Sequence, residues 1–235
     1  VLDVGTITSH IPRHEVAVAP FHIGQFAVTN AEWDSFMAAG GYDEERWGET
    51  AVARRWRLGE GTEAAAHANV RNWLAIIRAN PGMPAEELAR GRWSAEIHER
   101  WLRRLAMTPT EFEAHLEASF PGQRKSEPQF WRDARFNNPT QPVIGISWHE
   151  ARAYCAWLRA QTGRPFRLLT EAEWEAAARG PNGRRFAYGD APDRWRANTM
   201  ETHLRQGGPV GIFPGGDTPE GLADMGGNVY SGASP

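Results

Sequence analysis

The side chains with most chemical potential in this sequence are one thiol and a scatter of imidazoles. Cys155 is the single cysteine. Copper(I) chemistry asks for paired soft sulfur ligands, and one Cys can form neither an intramolecular disulfide nor a Cys-based zinc module. Trp148, Ala151, Cys155 and Leu158 recur at helical spacing, so Cys155 reads as part of a buried stripe. Apolar surroundings there raise a thiol's pKa and leave it inert. His10, His14 and Glu15 are the densest grouping of metal-ligand types, but Pro12 interrupts any helix that would set both imidazoles on one face. His149-Glu150 lacks the second His of a zinc-protease helix, because the i+4 position is Ala153. His22, His67, His98, His115 and His203 show no ligand spacing. Asp43-Glu44-Glu45 and Glu171/Glu173/Glu175 read as solvated faces. Arg54-Arg55-Trp56-Arg57 near Trp47 reads as arginines lying over half-buried indoles.

Composition narrows the function classes. The chain has 235 residues with 26 Lys+Arg against 29 Asp+Glu, a net charge of −3. That balance offers no concentrated positive field for nucleic acid or an anionic membrane. At 41% hydrophobic and 11% aromatic, it is too apolar for a disordered polypeptide. Lys125 is the only lysine, an arginine bias that suits a GC-rich genome and a thermostable chain. No apolar run reaches the roughly 18–20 residues a membrane span needs, and the first residues resemble no secretory signal. A soluble protein with no membrane or nucleic-acid partner is expected, with a cytoplasmic location favoured.

Any site must be positioned by elements the sequence marks locally. Ser/Thr followed three residues later by Glu forms a capping box, in which each side chain satisfies a backbone N–H at the helix start. The pattern occurs at Thr29/Glu32, Thr108/Glu111, Ser147/Glu150 and Thr170/Glu173. Alternation over Glu15–Pro20 and Phe21–Val28 predicts two short antiparallel strands leading into a helix over Asn30–Ala39. From about 42 to 135 the chain is charged and Ala-rich, with helical periodicity over Val70–Ala79, Pro84–Leu105 and Pro109–Ala118, and with Trp73, Trp93 and Trp101 as core. A short strand at Val143–Ile146 then precedes helices from Trp148 to about Gln161 and over Glu171–Arg179. Trp33, Trp148 and Trp174 read as core anchors beside the caps. Beyond Pro181 the chain is rich in Gly and Pro, the composition of loops that carry function.

Several segments together resemble one family: Pro20-Phe-His-Ile-Gly-Gln-Phe-Ala-Val-Thr-Asn-Ala-Glu-Trp33, Gln141 to Trp157, Thr162 to Gly180, Tyr188-Gly-Asp190, Arg196-Ala-Asn-Thr199, Pro209 to Pro214, and Gly221-Leu-Ala-Asp-Met-Gly-Gly-Asn-Val229. In order and spacing they are similar to the formylglycine-generating-enzyme or sulfatase-modifying-factor family, a branch of the C-type-lectin-like fold. The resemblance implies an α+β fold, a mixed domain of short antiparallel strands and two or three helices. It implies a single domain over 1–235, interrupted by a helical insertion at about 42–135. It further implies a structural Ca²⁺ held through Asn198 and Asn228 and, in the thiolate-dependent oxidases of the family, copper(I) on a pair of cysteines. Iron-dependent relatives carry their His/Glu site in a separate N-terminal helical domain.

Members usually continue Gly-Asn-Val as Trp-Glu-Trp and then through a closing segment bearing Arg-Gly-Gly-Ser and, in the enzymes, reactive cysteines. Here Tyr230-Ser-Gly-Ala-Ser-Pro235 follows, so the closing segment is expected to be missing. That substitution resembles the variable proteins of diversity-generating retroelements. It implies a non-catalytic display protein whose ligand-binding face is Tyr230, Ser231, Gly232, Ala233 and Ser234, open to a protein or small ligand, with no catalytic residue in the chain. The alternative is an O₂-dependent formylglycine-generating oxidase, or a related one, whose catalytic residues lie in a C-terminal part beyond Pro235.

Overall fold

In the computed structural model the four expected capping boxes, at Thr29, Thr108, Ser147 and Thr170, open helices, each with both arms in place. The described residues are 16–204 and 206–229. The helices are α1 (Asn30–Ala38), α2 (Ala51–Arg57), α3 (Ala64–Ala79), α4 (Met83–Ala89), α5 (Ala95–Ala106), α6 (Pro109–Ser119), α7 (Trp148–Thr162) and α8 (Glu171–Arg179). The predicted helix over Pro84–Leu105 is two helices. Ser94 caps a fresh start by accepting from the Ile97 N–H, and residues 90–94 turn the chain between them. Helix α2 carried no box with Glu at the third position and was not expected; Thr50 caps it through the Ala53 N–H.

The expected α+β architecture of antiparallel strands is not found. Among the described residues, β pairing is confined to isolated bridges at Thr29–Pro142 and Phe186–Gly189. At the first, Val143 donates to the Val28 carbonyl and Asn30 to that of Gln141, both at 2.9 Å. The alternation in the flanking sequence is real, but a ladder needs consecutive N–H donors, and Pro20, Pro139 and Pro142 have none. Gly145, at φ 69°, then bends the chain where a Cβ would lie 2.8 Å from the Phe130 ring. Segment 143–146 therefore cannot run on as a strand.

The chain divides into two compact units, one formed by the described residues up to Trp47 and from Ser126, the other by Gly48–Lys125. In the first, Trp33 and Phe36 of α1 meet Tyr154 and Ala156 of α7 together with Tyr42, Trp47 and Val143. Trp33 stacks on Tyr154 with centroids 5.1 Å apart, and Phe36 meets both rings edge-on, the offset and T-shaped geometries aromatic quadrupoles prefer. In the second, Val70, Leu74 and Ile77 on one stripe of α3 pack with Trp101, Phe112 and Leu116.

Three apolar expectations are corrected. Trp73 is 37% exposed and Trp148 40%, so neither is a core anchor, and Cys155 is only half-buried. The face α7 buries carries Glu150, Tyr154 and Ala156 instead. Its stripe is offset because one member is a carboxylate. Glu150 Oε1 accepts the Tyr42 hydroxyl at 2.6 Å, and Oε2 accepts the Ser147 N–H at 2.7 Å. Burial and the adjacent carboxylate hold the Tyr42 hydroxyl far above its ordinary pKa, so it stays a donor.

Candidate functional site

The loops after α8 carry the strained backbone. Among the described residues, the non-glycine positions in the left-handed region are His203, Asp224 and Asn228, at φ 57°, 58° and 70°. His, Asp and Asn are types that tolerate this region, yet each conformation costs energy and persists only where its surroundings fix it.

At Asn228 the fixing contacts form a clasp. Its Oδ1 accepts from the Gly208 N–H at 2.7 Å and from Asn198 Nδ2 at 3.2 Å. Its Nδ2 donates back to the Gly208 carbonyl, and its backbone N–H donates to the Asn198 carbonyl at 2.8 Å. Asn198 Nδ2 also donates to the Gln206 carbonyl, while its Oδ1 accepts the Thr202 hydroxyl at 3.1 Å. The structure thus brings the two Asn residues together. Their amide oxygens accept from protein donors in this arrangement. Among the described residues no group of three or more His, Cys, Asp or Glu is arranged to hold a metal ion.

Asp224 supports the neighbouring turn. Its carboxylate accepts the Gly211 N–H at 2.8 Å. Burial pushes its pKa up, with the Asp217 charge adding to the effect, against the Gly211 N–H and Asn228, which favour the ionised form. Asp217 Oδ1 is itself buried with no hydrogen-bond partner among the described residues. Arg196 braces the other side, donating to Asp193 at 3.2 Å and to the Gly215 carbonyl at 3.0 Å. It lies over the Tyr188 ring, which stacks on Phe186 at 5.5 Å. Only glycine fits at 216, where a Cβ would stand 1.7 Å from the Arg196 carbonyl oxygen. Glu220 pairs with Arg184 at 2.9 Å, and that guanidinium holds its carboxyl down at about 2.

Polar groups on this face are therefore largely spent on one another. Among its outward side chains are large apolar ones: Met200 is 84% exposed and Trp195 71%, with Leu204 and Ile212 also well exposed, beside exposed polar groups such as Arg194, His203 and Gln206.

Of the expected site residues, Asn198 and Asn228 meet, whereas Tyr230, Ser231, Gly232, Ala233 and Ser234 lie outside the described residues, as do His10, His14 and Glu15. Asp224 and Arg196 were not singled out from sequence. The signal that could have found them is Gly215-Gly216 and Gly226-Gly227, glycine pairs where the backbone approaches another segment.

A family model described as the sulfatase-modifying factor enzyme 1-like domain matches residues 2–232. A formylglycine-generating enzyme of Streptomyces coelicolor is 32% identical over 196 residues, covering 81% of this chain and 47% of that protein. A hercynine oxygenase of Mycolicibacterium smegmatis is 30% identical over 227 residues, 95% of this chain and 39% of that protein. An inactive Cα-formylglycine-generating enzyme 2 of Bos taurus is 28% identical over 230 residues, 93% of this chain and 61% of that protein. The chain spans half or less of the length of the first two.

Proposed function

The chain belongs to the sulfatase-modifying factor enzyme 1-like family, and on that premise we propose that it is a non-catalytic binding module of that family. The observation that carries this reading is the loop face, where Asn198 and Asn228 bond each other, Asp224 accepts the Gly211 N–H and Arg196 donates to Asp193 and the Gly215 carbonyl, while Trp195, Met200, Leu204 and Ile212 face outward. Catalysis asks for a group left available at the reacting atom, whereas recognition asks for a fixed surface with aromatic and apolar anchors. A relative named inactive fits the same picture. In the display form of this reading, Tyr230–Ser234 are the variable ligand-binding residues.

The second reading is an O₂-dependent oxidase, favoured by similarity to relatives named formylglycine-generating enzyme and hercynine oxygenase. One experiment separates the two. Full-length protein supplied with copper(I) or iron(II) is incubated with a Cys-x-Pro-x-Arg peptide and, separately, with hercynine and a thiol. The binding reading expects no aldehyde and no sulfoxide above the protein-free control. Metal-dependent turnover of either substrate overturns it.

A further inference from the structure

In the helical unit, α5 carries three arginines near its C-terminal end, and two of them are paired within the helix. Arg100 reaches Glu96 at 2.7 Å and Arg103 reaches Glu99 at 4.0 Å. Arg104 is different. Four residues before it stands Arg100, so the spacing that supplies its neighbours with carboxylates supplies it with another cation. It is also the most buried of the three, at 7% exposure. Its guanidinium lies 4.8 Å over the Trp101 ring, and its Nε donates to His115 Nε2 at 3.4 Å. Ser119 sits against the same imidazole, and Trp93 stacks along Trp101 with centroids 6.4 Å apart. Among the described residues no carboxylate stands within ion-pair distance of it.

Two carboxylates buried to a similar degree are compensated. Glu150 accepts Tyr42 and a cap N–H, and Glu173 holds Arg167 in two parallel bonds. A guanidinium cannot shed its charge, and covering its stem and Nε side while leaving only the Nη tips to solvent removes part of its hydration at a cost. Cation–π contact with Trp101 offsets part of that cost but brings no negative charge. The unit around it is cationic as well, with twelve Lys/Arg against ten Glu between Gly48 and Lys125.

We propose that Arg104, with Trp101, Trp93 and His115, forms a binding site for a small organic carboxylate. His115 occupies the Nε edge, leaving the two Nη groups as a planar fork whose geometry matches the two oxygens of a carboxylate. The adjacent indoles suit a flat or apolar body attached to it. A carboxylate placed there neutralises the buried cation, which phosphate, more strongly hydrated and lacking an apolar body, does less well.

The test is a titration of the full chain with sodium benzoate, sodium acetate and sodium phosphate at constant ionic strength in chloride, read by tryptophan fluorescence and by the thermal midpoint. Benzoate is expected to saturate at submillimolar concentration and to raise the midpoint, with acetate at least tenfold weaker and phosphate weaker still. Arg104→Met keeps the apolar stem and removes the charge. It is expected to fold with an unchanged or raised midpoint and to lose the benzoate response by at least tenfold. The proposal is overturned if benzoate gives no saturable response in the unsubstituted chain, if phosphate binds more tightly than benzoate, or if Arg104→Met responds as the parent does.

Discussion

The two units of this chain are held together by different kinds of contact. In Gly48–Lys125, apolar stripes of α3, α5 and α6 meet around Ile77 and Leu116, both fully buried. Burial is additive there, and each side chain contributes its share of surface removed from water. The other unit has α1 and α7 locked by stacked aromatic rings, but from α8 onward its loops are fixed by single polar contacts such as Asn198 to Asn228 and Asp224 to Gly211. A stripe tolerates substitution in small steps. A clasp fails at once, because one deleted side chain leaves buried partners unpaired.

Substitutions in the two units should therefore differ in kind as well as size. Trp33→Ala is expected to cost about 3–5 kcal/mol and Ile77→Ala about 2–5 kcal/mol in urea unfolding. Hydrogen exchange should show the first loosening α1 and α7 and the second α3 and α6. Equal loss of protection everywhere would mean the two cores act as one. Glu150→Ala removes a cap, worth about 1 kcal/mol, and strands the Tyr42 hydroxyl, worth about 1–3 kcal/mol. Glu150→Gln keeps a carbonyl oxygen for one donor but sets an amide N–H2 against the other, so it should recover only part of that loss. Asn228→Ala is expected to cost about 1–3 kcal/mol, and Asn228→Gly, which relieves φ 70° without restoring the clasp, should recover only part of it. Millimolar Ca²⁺ against EDTA should move the midpoint by less than 1 °C if the clasp is complete as hydrogen-bonded; a shift of several degrees would break that reading.

Acid titration gives the smallest effects, with opposite signs. Arg167 beside it, the Thr170 N–H and the Thr170 hydroxyl hold the Glu173 carboxyl down at about 2. Its contribution is full above the ordinary Glu pKa near 4.5 and is lost as pH falls toward 2. Glu173→Gln should flatten that limb. Asp224 is shifted upward, so its ionisation works against folding as pH rises from 3.8 through its raised value. Asp224→Asn keeps an acceptor for Gly211 and should hold or raise the midpoint at neutral pH. Loss of stability there would show that the negative charge itself is needed.

What the sequence made legible follows from how local each signal is. A capping box spans four residues and is decided by them alone, so Thr29, Thr108, Ser147 and Thr170 were found where they are. Strand alternation is equally local, but a ladder is not, and prolines together with the turn at Gly145 reduce the expected strands to isolated bridges. On α7 an apolar template selected Trp148 and Cys155 because it could not count Glu150 as a buried residue. The partner that makes Glu150 buriable, Tyr42, lies 108 positions away. Asn198 and Asn228 were found through the resemblance, as calcium ligands. Their hydrogen-bonded arrangement, like the roles of Asp224 and Arg196, depends on contacts between separate loops that no spacing rule expresses.

The Asn198–Asn228 contact joins positions 30 apart in the chain, and in polymer terms it acts as a noncovalent crosslink. The segment between becomes a closed ring whose entropic cost rises only with the logarithm of its length, about 0.6 kcal/mol for each doubling. Insertions within that ring cost little provided they leave the fastening residues alone. A surface mounted this way can change its length and its exposed side chains while both its ends stay anchored.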